Sequence, residues 1–282
     1  MHDVFVSTTF MPDGASVWEA VGKLRDRRLS NIELGSNHCW ERLNAEDFRK
    51  LDGRWLVHNY FPVPERSIIL NPASSDSNIR AQTISQIRRS LQFTRDIGAE
   101  LYTFHPGFID DPQASSFRSE NYDFLFHGRS RRTYEDAFDA MLNSLGQIGA
   151  IAHELGVAIA IETEGSMGKS QYLLMQRPEE FQRLFAHLGD DQLRVNLNLA
   201  HGRLAAQAFG FDFEELLNSV ANRVVAVEVS HNDGTEDEHR PLMSGGWYFQ
   251  WLKRLPTVPL IVETRNTSIE EITHSVDLLQ SA

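Results

Sequence analysis

Val157-Ala158-Ile159-Ala160-Ile161-Glu162 is an apolar run that stops on a carboxylate. The same pattern recurs along the chain. Leu56-Val57-His58 and Leu101-Tyr102-Thr103-Phe104-His105 come before it. Val195-Asn196-Leu197-Asn198, Val224-Val225-Ala226-Val227-Glu228 and Leu260-Ile261-Val262-Glu263 follow it. Each run delivers a metal-capable or polar side chain at its carboxyl end. A closed β/α barrel gathers such residues at its top face.

Working outward, strands are expected over residues 3–7, 31–35, 55–60, 100–105, 157–163, 193–198, 223–230 and 257–264. They are continuous Val/Ile/Leu runs, as expected for parallel strands buried on both faces. Helical patterns fall between them, over residues 16–28, 78–97, 133–155, 178–187, 246–254 and 268–280. Gly98 and Gly156 stop two of these helices, and Pro178 followed by Glu179 and Glu180 opens a third. Strict alternation predicts an α/β protein with right-handed crossovers. Its eight units favour one (β/α)8 barrel over residues 1–282, a length that suits this architecture (roughly 250 residues). No Gly-x-Gly-x-x-Gly loop follows the first strand, which weakens a nucleotide-binding alternative.

Two long connections, residues 61–77 and 106–132, follow the third and fourth strands. They therefore lie at the top face, where loops serve as lids. Residues 106–132 carry Phe108, Phe117, Tyr122, Phe124, Phe126 and Arg129-Ser130-Arg131-Arg132. They are either a packed surface excursion or a lid whose aromatics cover a substrate and whose Arg131 meets an anionic group.

The bulk composition narrows the class. A hydrophobic fraction of 41% supports a full core. No apolar run approaches the ~20 residues needed to span a bilayer, and Met1-His2-Asp3-Val4 lacks a signal-type start. Cys39 is the only cysteine, so no internal disulfide forms, and a cytoplasmic location is expected. The net charge of -12 disfavours nucleic acid as a partner. Aromatics on the long connections fit a homodimer.

The rim residues are His58, His105, Glu162, Asn198, His201, Glu228, His231, Asp233, Asp237, His239 and Glu263. A single such His is ordinarily a satisfied core residue, and a single Glu can pair with a nearby arginine. Together, Glu162, Glu228 and Glu263 would crowd like charge around one axis, which buried carboxylates resist by holding protons. A divalent cation resolves the conflict. Carboxylates with an amide suit manganese or magnesium, and imidazoles with carboxylates suit zinc. The metal choice stays open.

The ordered set resembles the xylose isomerase-like TIM-barrel superfamily, which holds sugar-phosphate isomerases and epimerases and also endonuclease IV. The resemblance is carried by Val57-His58-Asn59-Tyr60, Phe104-His105-Pro106-Gly107, Ile161-Glu162-Thr163, Asn198-Leu199-Ala200-His201, Asp237-Glu238-His239 and Val262-Glu263. It runs from Ile32-Glu33-Leu34-Gly35 to Val262-Glu263-Thr264. By the endonuclease IV resemblance, His58, His105 and Glu162 would hold one zinc, and His201, Asp237 and His239 a second. Glu162, Glu263 and the ends of the sixth and seventh strands would hold a third. The isomerases commonly keep only this last site. Here the chain departs from the family: Asn198 stands where an Asp is usual and Glu228 where a His is usual. The summed ligand charge is unchanged. In an alternative register His231 is the ligand and Glu228 a barrel residue. Glu228 is preferred, because it leaves the Gly234-to-His239 spacing intact.

The resemblance implies a divalent-metal-dependent isomerase or epimerase of a small sugar-like molecule. The metal would stabilise an enediolate, Glu162 and Glu263 would move the proton, and His201 would orient a hydroxyl. His58 and His105 would also lie near the substrate. Trp40, Phe61, Phe108 and Trp247 would form an apolar wall or serve in packing. The alternatives are an endonuclease IV-like zinc phosphodiesterase and a non-catalytic sugar-binding barrel, the latter motivated by Asn198 alone.

Overall fold

The computed structural model describes residues 2–66, 68–118, 121–126, 132–189 and 192–281. Every strand expected from the sequence is present, most of them shorter than expected and the third starting one residue earlier: β1 (Val4–Ser7), β2 (Asn31–Leu34), β3 (Arg54–His58) and β4 (Tyr102–Phe104). A hairpin of β5 (Ala114–Arg118) and β6 (Asn121–Leu125) intervenes, followed by β7 (Ile159–Glu162), β8 (Arg194–Asn198), β9 (Val224–Val229) and β10 (Leu260–Val262). All but the hairpin form a closed parallel barrel in the order β1-β2-β3-β4-β7-β8-β9-β10. Closure is made by β1, which pairs Val4 with Leu260 on one side and Val6 with Ile32 on the other.

The helices are α1 (Val17–Asp26), α2 (Ala45–Arg49), α3 (Ser77–Ile97), α4 (Tyr134–Leu155), α5 (Pro178–His187), α6 (Leu199–Phe209), α7 (Phe213–Val220), α8 (Phe249–Leu252) and α9 (Ile269–Gln280). The long ones have local causes. Asp76 caps α3 and Thr133 caps α4 through side-chain oxygens, and both helices stop at left-handed glycines, Gly98 at φ 72° and Gly156 at φ 66°. α6 begins on the residue that ends β8: the Asn198 side chain accepts the backbone N–H of His201. The sequence pattern predicts neither α2, α6 nor α7. It also overextends α8, which is confined to Phe249–Leu252 because Gly245 takes φ 71° and the Tyr248 hydroxyl is tied to Met243.

The pleat places the site. Side chains on one strand face the same side at every second residue. Phe5, Leu56, Leu101, Ala160, Ala226 and Ile261 pack together as the apolar plug inside the barrel. Two residues on, along the same strands, come Ser7, His58, Thr103, Glu162, Glu228 and Glu263. Barrel-facing residues thus switch from apolar to ligand-type within one repeat of the pleat. The outward-facing residues, among them Ile32, Leu34, Val57, Ile161, Val227 and Val262, join the helices in the main core. Phe61 also lies there, edge-on to Phe93 of α3, and so belongs to the helix–barrel packing.

Gly165 locks the loop after β7 onto α6. A Cβ there would lie 1.9 Å from the carbonyl oxygen of His201 and 3.0 Å from the backbone nitrogen of Ala205. Those atoms are helical backbone and cannot turn away. We expect Gly165→Ala to cost about 1–3 kcal/mol, the range for overpacking. Thermal melts would check this; an unchanged melting temperature would disprove the contact.

Candidate metal centre

The barrel mouth brings together acidic and imidazole side chains from β2, β3, β7, β9 and the connections that follow β4, β7, β8, β9 and β10. Glu33 and Glu228 are fully buried, Glu162 is 1% exposed and Glu263 6%. Their ligand atoms fall into overlapping triads, each with mutual distances within 4.8 Å: His58/His105/Glu162, His201/Asp237/His239, Glu33/His58/Glu228 and Glu162/Glu228/Glu263.

A continuous polar chain runs through the cluster. His105 Nδ1 lies 2.7 Å from Glu164 Oε1 and 3.4 Å from Glu162 Oε2. His58 Nε2 faces the same Glu162 oxygen at 3.7 Å. Glu162 Oε1 lies 3.0 Å from His201 Nδ1. The Nε2 atoms of His201 and His239 converge on Asp237 Oδ2 at 3.3 and 2.9 Å, and His239 Nδ1 reaches Glu263 Oε2 at 3.3 Å. His239 holds this place at φ 47°, a left-handed conformation uncommon for a residue with a side chain.

Charge state follows position. Burial raises the Glu33 carboxyl to about 8, reinforced by the nearby Glu263 and Glu162 carboxylates. Burial also pushes Glu228 well above the usual carboxylate range, with Glu162 and Glu263 adding to the rise. Burial opposes ionisation of Glu162 and Glu263 too, but imidazoles outweigh it: His105, His201 and His58 hold Glu162 low, and His239 holds Glu263 low. Burial would lower His105, yet Glu162 and Glu164 raise it to about 9. Asp237 does the same for His239, which also reaches about 9 against burial. His58 lacks enough compensation, and burial lowers it to about 4.

These residues fit a divalent cation. Glu162 Oε2 is buried and makes no hydrogen bond of acceptable geometry, although two imidazoles face it. Carboxylate oxygens and imidazole nitrogens converging on one point are the donor set of zinc, with manganese or magnesium suited to the all-carboxylate triad.

Asn198 has a definite orientation. Its Oδ1 is committed to the His201 N–H at 3.1 Å, which turns Nδ2 toward Glu162, Glu228 and Glu263 at 3.0, 2.9 and 3.2 Å. An Asp here would keep a second oxygen free after capping α6; Asn keeps only N–H groups, which do not ligate a cation. The structure therefore presents Asn198 to the centre as a donor to the carboxylates. His231 is directed elsewhere. Its backbone pairs with Arg240 and its ring lies edge-on to Tyr248, while Glu228 occupies the cluster.

The other expected contacts are dispersed. Trp40 is 50% exposed. Phe108 is buried against Phe124 and Phe126 of the hairpin region. Trp247 donates to the Asn232 carbonyl and carries Arg203 over its ring. Arg131 lies outside the described residues. Sequence reasoning missed Glu33, Glu164 and Asn196, whose Nδ2 donates to Glu228 Oε1 at 2.6 Å. The available signal was the two-residue pleat, since Asn196 precedes Asn198 by one repeat and Glu33 alternates with the outward Ile32 and Leu34.

Residues 38–282 match the family described as xylose isomerase-like TIM barrel. The chain belongs to this family. A protein of Methanocaldococcus jannaschii described as uncharacterized is 23% identical over 279 residues, covering 97% of this chain and 86% of that protein. Among solved structures, a D-tagatose 3-epimerase-like protein superposes with a TM-score of 0.73 at 18% identity, over 99% of this chain and 96% of that one. A Thermus thermophilus protein, soaked with zinc chloride, gives a TM-score of 0.67 at 20% identity over 99% of each chain. These solved structures share the barrel fold with this chain. Among the described residues, no helix is long and apolar enough to cross a membrane.

The raised groups set a pH dependence for protein stripped by a chelator. His105 and His239 rise from 6.5 to about 9, so their stabilisation is complete below pH 6.5 and lost as pH climbs through 9. Glu33, raised from 4.5 to about 8, acts with the same sign, losing its contribution as pH climbs through 8. We expect the melting temperature of chelator-treated protein to fall between pH 6.5 and 9. Zinc affinity should rise over the same window, because the cation must displace those imidazole protons. Melts and zinc titrations across pH would test both; a flat profile would contradict the assigned charge states.

Proposed function

We infer that the protein is a divalent-metal-dependent isomerase or epimerase of a small sugar or sugar phosphate. The observation that carries this reading is the convergence of buried Glu162, Glu228 and Glu263, with ligand atoms within 4.8 Å of one another, among the imidazoles of the barrel mouth. Solved proteins of this architecture include a D-tagatose 3-epimerase-like protein. Zinc or manganese suits the centre best, with magnesium compatible.

Glu162 and Glu263 stand on, or immediately after, β7 and β10, with β8 and β9 between them. They reach a common point from different sides of the barrel. Neighbouring imidazoles keep both ionised, the state a general base needs at neutral pH. One ionised carboxylate takes a proton from the carbon beside the carbonyl; in an isomerisation that same carboxyl returns it to the neighbouring carbon, and in an epimerisation the other carboxyl, having first taken a proton from water, delivers it to the opposite face. His201 is fixed by Asn198, Thr163 and Asp237, so its ring can orient a substrate hydroxyl. A bound cation would supply Lewis-acid polarisation of the substrate carbonyl. The plug of Phe5, Leu56, Ala160 and Ile261 excludes water from below. The connections after β3 and β4 are proposed as lids.

A second reading is favoured by one observation. The triads His58/His105/Glu162 and His201/Asp237/His239 flank the carboxylates. Several cations so placed would suit a phosphodiesterase in which water attacks a phosphate ester.

Deuterium wash-in separates the two. Ketoses incubated with enzyme and manganese or zinc in deuterated water should gain carbon-bound deuterium. Glu162→Gln and Glu263→Gln should each slow the exchange by about 10²-fold or more while leaving the circular dichroism unchanged. Cleavage of abasic DNA with no exchange on any ketose would overturn the isomerase reading in favour of the second.

A further inference from the structure

We propose that Glu33, His58 and Glu228 form an additional cation site inside the barrel, enclosed beneath the more exposed triads. It differs from the centre assigned to the reaction, with which it shares only Glu228 and His58.

Glu33 is the observation that points to a ligand. It is 0% exposed, and neither carboxylate oxygen has a hydrogen-bond partner of acceptable geometry among the described residues. The Ser7 hydroxyl, which accepts from Thr9, is near enough to favour the ionised form of Glu33, but a single neutral hydroxyl does not balance a buried negative charge. A bare carboxylate buried between barrel strands is strongly disfavoured unless a cation or a proton answers it. Glu33 enters the barrel from β2, level with Ser7 and Leu56. There it meets a ligand atom each from His58 and Glu228 within 4.8 Å. Glu228 is 0% exposed as well and is oriented by two amides, Asn196 at 2.6 Å and Asn198 at 2.9 Å.

His58 completes the set. Its Nδ1 lies 3.8 Å from Glu228 Oε1 and 2.8 Å from the Thr103 hydroxyl, and its Nε2 turns to Glu162. With the ring neutral and its proton on Nε2, Nδ1 presents its lone pair toward Glu228 and the Thr103 hydroxyl, which a cation would displace. Two carboxylates and one imidazole are a donor set of zinc. The rival arrangement is a proton shared between Glu33 and Glu228.

Glu33→Gln separates the two, because glutamine mimics a protonated carboxyl and cannot replace an anionic ligand. We expect wild-type protein loaded with zinc chloride and then dialysed against chelator to retain about one more zinc per chain than Glu33→Gln. Crystals of the wild type grown with zinc chloride should give an anomalous peak at the zinc edge between Glu33, His58 and Glu228. This second measurement stands even if the variant fails to fold. Equal retained zinc in the two proteins, or no anomalous peak at that position, would overturn the site. Loss of deuterium exchange in Glu263→Gln is independent of both results, so failure of this site and failure of the isomerase reading are distinguishable.

Discussion

Four glutamates, Glu33, Glu162, Glu228 and Glu263, are buried in one enclosure of low polarisability, and the surrounding structure is arranged around that fact. Like charges at such distances cannot all ionise without a counter-charge. The protein answers in two ways. Toward the opening, His105, His201 and His239 take up positive charge and keep Glu162 and Glu263 ionised. Farther in, around Glu33 and Glu228, no described imidazole is charged, because burial holds His58 neutral. The gradient from charged to neutral imidazoles divides the cluster into an outer region suited to proton transfer and an inner one needing a cation or a proton.

Asn198 couples this arrangement to the fold. One side chain ends β8, starts α6 and donates to the carboxylates of Glu162, Glu228 and Glu263. Because α6 begins there, His201 falls one turn on and faces Thr163 and Asp237. Substituting Asp for Asn would add a negative charge where three carboxylates already meet.

The barrel was legible in the sequence because its strands are continuous apolar runs, each long enough to be distinguished from a helix by its ending. The triads were legible for a related reason: His58 and Glu162 are the last residues of their strands, and Glu263 comes just after its own. Glu33 was not, since Leu34 and Gly35 follow it and only the pleat reveals that it faces inward. Nor was α6, which starts on a strand's own last residue and leaves no boundary in the pattern. The β5–β6 hairpin pairs Ala114 with Leu125 and Phe117 with Tyr122, in a stretch whose aromatics suggested only an excursion. Where a side chain serves strand, cap and cluster together, as Asn198 does, its partners come from distant parts of the chain and cannot be read locally.

His58 places its two nitrogens against different glutamates, Nδ1 toward Glu228 and Nε2 toward Glu162. A neutral imidazole has one proton and one lone pair, so it can coordinate on one side only. Ligation through Nδ1 leaves the proton facing Glu162, and ligation through Nε2 sends it toward Glu228 and Thr103. Filling either side therefore weakens the other, and linkage makes the effect reciprocal. The tautomer of one ring thereby makes the inner and outer parts of the centre antagonistic, with no movement of the backbone.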